Sequence, residues 1–302
     1  MIHMQDPFKT YYEPLDREGR ARCRAWQTAV GLQGVDGLKT SDFLNDLALR
    51  HIRGESSLDE VGQQLDTHYK AMHTSGAASL QTETADKCAE PSAESVNPST
   101  ATILPRDDGS RTEEADKVAH RIVTSLADET FSFSVNGYLV THRHLFHGIY
   151  KHAGQMRDYD ISKNEWVLDG RSVLYCSAYE LRPTLEYDLG CEASFSYKKL
   201  SVDEKIRHLA FFVANLWQIH VFGEGNTRTT AVFLIKYLKT LGFSLENDTF
   251  AENAWFFRNA LARANYDDVK NGVRKTSHFL EMFLRNFLLG EANVLDNEEM
   301  HV

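Results

Sequence analysis

The chain has 302 residues and 42% apolar content, enough for a sizeable core in one large or two ordinary domains, which excludes a disordered protein. Its formal net charge of -10 repels nucleic acid and anionic lipid, and Lys and Arg are interspersed with acidic residues, so no nucleic-acid partner is expected. Cys23, Cys88, Cys176 and Cys191 lack Cys-x-x-Cys spacing, and there is neither a basic-then-apolar leader nor an uninterrupted apolar run of roughly 18 residues; together these predict reduced thiols, no membrane association and a cytoplasmic location.

In chain order, residues 6–72 read as a small helical N-terminal unit. Ser41 can cap a helix carrying Phe43, Leu44, Leu47, Leu49 and Ile52, with Gly54 as its stop, and Ser57 to Glu60 is a capping box opening the next. Residues 73–111 contain no Phe, Trp or Tyr and read as a flexible linker rich in Ser, Thr, Ala, Glu and Pro. The larger unit, 112–290, begins with a stripe of Val118, Ile122 and Leu126, followed by a predicted helix around Arg143 to Ala153. Between Ile161 and Ala178, Trp166-Val167-Leu168 and Ser172-Val173-Leu174-Tyr175 flank Asp169-Gly170, a dipeptide suited to a type I′ turn, so a β-hairpin is expected. Ser201 to Glu204 opens a helix with Ile206, Leu209, Val213, Leu216 and Trp217 on one face, running into His220. A strongly apolar helix from Thr227 to Leu241, one capped near Thr249, and a last one ending at Gly290 complete the pattern, with 291–302 as an acidic tail. The fold class is all-α with one hairpin.

The chemistry concentrates between the two apolar helices, in His220-Val221-Phe222-Gly223-Glu224-Gly225-Asn226-Thr227-Arg228. Asn226 can act as N-cap of the second helix, whose first N–H groups and positive dipole end make an anion site. Gly223 and Gly225 let a phosphate approach the backbone, Arg228 adds a guanidinium, and Glu224 can hold a hydrated magnesium ion. His220 precedes this site and suits the role of general base for a hydroxyl attacking bound phosphate. A packed interhelix loop with a core histidine is the alternative for each residue taken singly.

This segment resembles the signature of the Fic family, His-Pro-Phe-x-Asp/Glu-Gly-Asn-Gly-Arg-x-x-Arg, through His220, Phe222, Glu224, Gly225, Asn226 and Arg228. Tyr150 to Arg157 followed by Ile161-Ser162-Lys163 is similar to the stretch leading into the family's flap. The resemblance implies a Fic helical core acting as a magnesium-dependent adenylyltransferase that moves AMP from ATP to a protein hydroxyl. His220 would be the base, Glu224 the metal ligand, and Phe222, Gly223, Gly225, Asn226, Thr227 and Arg228 would hold the nucleotide, with Asn253 and Phe257 near the adenine. The flap, with Ser162, Lys163, Trp166, Val167, Leu168, Val173, Leu174 and Tyr175, would dock the target protein by strand addition. Thr227 replaces the usual glycine, Val221 the proline, and Ala231 the second arginine, which in the family binds outer phosphates and is grasped by an inhibitory glutamate. Ala231 therefore predicts no arginine clamp, and it leaves transfer of another nucleotide or phosphocholine, or a non-catalytic nucleotide-dependent binding module, as alternatives. The N-terminal unit resembles small Fic antitoxins through Leu32-Gln33-Gly34-Val35-Asp36-Gly37, making Asp36 one inhibitory candidate; Glu129, within Ser125 to Thr130, is the other. The oligomeric state stays open, a homo-oligomer included.

Overall fold

The computed structural model describes residues 6–12, 15–80, 110–243, 245 and 249–302. The helices are α1 (Arg17–Gly31), α2 (Asp42–Ile52), α3 (Leu58–Leu80), α4 (Ser110–Ala127), α5 (Val135–Phe146), α6 (Leu181–Ala193), α7 (Val202–Ile219), α8 (Asn226–Thr240), α9 (Thr249–Ala264) and α10 (His278–Leu289). Among the described residues the sole β pairing is an isolated bridge between Asp268 and Val273. None of these helices is long and apolar enough to cross a membrane.

Helix starts follow the capping chemistry. Ser41 accepts the Leu44 N–H, and Ser201 and Glu204 close a reciprocal box. Ser57 and Glu60 do the same ahead of α3. That helix continues to Leu80 and α4 starts at Ser110, so the 81–109 part of the expected linker, with Cys88, lies outside the described residues. Helix α8 is buried all round from Asn226 to Leu238, its polar first turns and Lys236 included, and it packs against α4, α5 and α7.

Helices α1 and α6 have no counterpart in the sequence reading. Asp16 caps α1, which buries Cys23, Trp26, Ala29 and Val30 against α4 and α9. Beyond Gly31 the chain tightens into a 3-10 turn, Leu32–Asp36, packed on α9. In α6 the apolar stripe is thin, with Leu181, Leu185 and Leu189 reaching the core.

Two expectations are corrected. The helix predicted around Arg143 to Ala153 ends at Phe146, because Gly148 takes φ +73 and the chain turns. The β-hairpin does not form. Asp169 and Gly170 both take positive φ, +54 and +75, as a type I′ turn requires, but the arms carry no ladder. Trp166–Leu168 coils into a 3-10 turn that sinks Val167 and Leu168 into the core beside α9, and the Ser172 hydroxyl, not a backbone carbonyl, accepts the Lys163 N–H. The end of the chain folds back onto this region: Met300 is buried and the Val302 N–H reaches the Val167 carbonyl.

Candidate active site

His220 ends α7 in a left-handed conformation, φ +51, uncommon for a residue with a side chain. A buried arginine holds it there. Arg157 Nε donates to the His220 carbonyl at 2.8 Å, its guanidinium also reaches the carbonyls of Tyr159 and Cys176, and its own N–H donates to the Val221 carbonyl. The imidazole lies 4.1 Å from the Tyr175 ring, centroid to centroid, and its buried Nδ1 has no hydrogen-bond partner among the described residues. Burial, then the charges of Lys163 and Arg258, push its pKa well below the ordinary histidine value, so the ring is neutral at pH 7.

The loop that follows is shaped by its own side chains. Asn226 is the first residue of α8, not its N-cap; that place is taken by Gly225 at φ +77, whose Cβ position would lie 2.5 Å from the Phe146 ring. Asn226 instead clasps Phe222, accepting its N–H at 2.9 Å and donating to its carbonyl at 2.7 Å. Phe222 stacks on His142 at 3.7 Å. Since His142 Nδ1 accepts the Gly154 N–H, its Nε2 carries the proton and donates to the Glu224 carbonyl. Thr227 accepts from the Trp217 indole, and Gly223 faces the Tyr159 hydroxyl.

Glu224 meets Lys163 at 2.6 Å, so one predicted flap residue touches the predicted metal ligand. Among the described residues no three metal-ligating side chains gather anywhere. A single carboxylate fits a magnesium ion that arrives already bound to phosphates.

Arg228 is almost wholly buried, turned away from solvent and toward the N-terminal part of the chain. Its Nη2 lies 2.8 Å from Asp36 Oδ2, 2.8 Å from Glu114 Oε1 and 3.1 Å from the Tyr150 hydroxyl, and Nη1 donates to Gln33. Asp36 also meets Arg258 Nη1 at 3.1 Å, and Arg258 pairs with the buried Glu165. Burial alone would raise the Asp36 pKa, but the charges of Arg228 and Arg258 bring it below the ordinary value. Ala231 offers no cation, but Arg228 and Arg258 together grip Asp36, one of the two inhibitory candidates. Glu129, the other inhibitory candidate, is exposed on the loop after α4 and is not among the partners of Arg228.

Of the remaining candidates, Phe257 is fully buried between Phe250 and Phe283, a core residue with no free face, while Asn253 marks a kink in α9 at φ -120, ψ 20. Ser162 is exposed; Val167, Leu168 and Val173 are buried, Trp166 leans on His301, and Leu174 is 85% exposed with its carbonyl held by Gln218. The sequence pattern does not single out Arg157, Gln33, Glu114 or Arg258. A signal existed for two: Glu114 sits four residues before Val118 on the α4 stripe, and Arg258 lies between Ala254 and Ala262 at helical spacing. A charge on an apolar stripe implies a buried partner.

The model of the Fic/DOC family matches residues 132–238 of this chain. No curated protein matches. Among solved structures, the chain is similar to the N-terminal FIC domain of Bep8, a VirB-translocated effector protein from Bartonella sp. 1-1C, with 18% identity, 58% of this chain and 82% of that one covered, and a TM-score of 0.45.

Proposed function

We propose, on the premise of the Fic/DOC-family segment at residues 132–238, that this protein is an adenylyltransferase moving AMP from ATP to a hydroxyl of a protein target. The target oxygen attacks the α-phosphorus, the bond to the bridging oxygen breaks, pyrophosphate leaves, and the hydroxyl proton passes to the His220 imidazole. The state of His220 carries this reading: its backbone is held left-handed by Arg157, its ring rests on Tyr175, and its buried Nδ1 is unspent among the described residues. Most buried nitrogens in a packed core are paired. A neutral ring can take a proton, and an arriving phosphate offsets the nearby cations and raises its basicity.

Glu224 would hold the magnesium ion, which would neutralise phosphate charge. The amides at the start of α8 and Arg228 would hold the donor once Asp36 leaves, which makes Asp36 the inhibitory carboxylate. The arm from Ser172 to Tyr175 would receive the target segment. A second reading, a different donor or a binding module without transfer, draws on Ala231 and on the locked Arg228. Intact-mass spectrometry after incubation with magnesium and a panel of nucleotide and phosphocholine donors separates these. An AMP increment, lowered ~100-fold or more in rate by His220→Ala while nucleotide still binds, is the expected result. No increment from any donor, or equal rates in the variant, overturns the enzyme reading.

A further inference from the structure

Two guanidinium groups from helices distant in sequence converge on one small anion. Arg228 leaves the first turn of α8 and Arg258 leaves α9 beyond its kink, and the two oxygens of Asp36 are shared between them at 2.8 Å and 3.1 Å. Each cation also has its own carboxylate, Glu114 for Arg228 and Glu165 for Arg258. Asp36 is thus not needed to neutralise either one. Lys163 and Arg111 add positive charge at longer range.

The fit around Asp36 is incomplete. Its Oδ2 makes a close ion pair with Arg228 but no aligned hydrogen bond, and the buried Nε atoms of Arg228 and Arg111 have no acceptor among the described residues. A carboxylate offers two oxygens, whereas a terminal phosphate offers three in a tetrahedron, which suits converging N–H groups from several directions. Ala231, fully buried one turn along α8, has no cation to offer.

We infer that Arg258 is the second cationic ligand of the donor's outer phosphates, doing from α9 what Ala231 cannot do from α8, with Asp36 occupying that place until a donor displaces it. This rests on the nucleotide-transfer reading for the identity of the ligand, whereas the anion site itself can be tested with inorganic triphosphate.

The test is calorimetric titration of the full chain, with magnesium, by ATP, AMP and inorganic triphosphate. Asp36→Ala should bind ATP and triphosphate about tenfold more tightly than the parent and AMP about equally. Adding Arg258→Lys, which keeps a charge beside Glu165 but removes the fork, should cancel about tenfold of the ATP and triphosphate affinity and leave AMP unchanged. If melting shows that this variant is unfolded, Arg258→Gln with Glu165→Gln in the Asp36→Ala chain replaces the ion pair by a neutral one and reads the same loss. The inference is overturned if the ratio of ATP to AMP affinity is the same with and without Arg258, or if Asp36→Ala gains nothing for triphosphate. Should triphosphate behave as expected while no donor yields a nucleotide mass increment, the anion site stands and the transfer reading falls.

Discussion

Glu224 and Lys163 hold each other at 2.6 Å, and a magnesium ion held by Glu224, as proposed, would have to separate them. The pair is partly exposed, so it contributes on the order of 0.2–1 kcal/mol. Glu224→Gln keeps the shape and removes the charge: the magnesium-dependent part of ATP affinity should fall about tenfold, with the melting temperature of the free chain nearly unchanged. Lys163→Met should act in the opposite direction on magnesium by freeing the carboxylate. Calorimetry with and without magnesium measures both. An unaltered magnesium dependence in Glu224→Gln would reduce Glu224 to a solvated partner of Lys163.

Helix α1 ends where α9 begins, and the contact is backbone to backbone. A Cβ on Gly31 would lie 2.4 Å from the Phe250 carbonyl oxygen and 2.6 Å from the Ala251 Cα, neither of which can move aside as a flexible side chain would. The 3-10 turn that presents Gln33 and Asp36 follows directly. Gly31→Ala should therefore cost about 1–3 kcal/mol of stability and also loosen Asp36 from Arg258, so that ATP binds more tightly although the fold is weaker. A lower melting temperature without tighter ATP binding would mean that the turn is anchored independently of α1. The same geometry explains what could be read in advance. Capped helices with wide stripes, such as α2 and α7, were legible because local chemistry decides them, and so was the place of the His220 loop between α7 and α8, though not the clasp of Asn226 on Phe222. The arms around Asp169 were not, since Val167 and Leu168 coil to reach a core that only the tertiary fold supplies. Nor was the grip on Asp36, because its partners sit at positions 36, 228 and 258 and no local pattern joins them.

Across the whole molecule, charge burial sets how stability responds to acid. His142 is held by burial, against its bond to the Glu224 carbonyl, at a pKa of about 3, and His51 by burial and the charge of Arg22 at about 4; His220 also lies well below the ordinary value. In the unfolded chain each takes up a proton near ~6.5. Between pH 6.5 and about 4 the unfolded state thus binds more protons than the folded one, and stability falls as pH falls through that window. Asp116 and Asp188 work in the opposite direction, since burial raises their pKa and lets the folded state take up protons first. Their unfolded values lie near ~3.9, so above that pH they offset part of the loss that the histidines cause. Scanning calorimetry should show the melting temperature dropping by several degrees from pH 7 to pH 5. His51→Gln, which can still accept the Trp26 indole N–H that His51 Nδ1 accepts at 3.0 Å, should flatten that slope without lowering the pH 7 value much. A melting temperature that stays level over the window in the parent, or a slope untouched by the substitution, would show that these histidines gain protons as easily folded as unfolded.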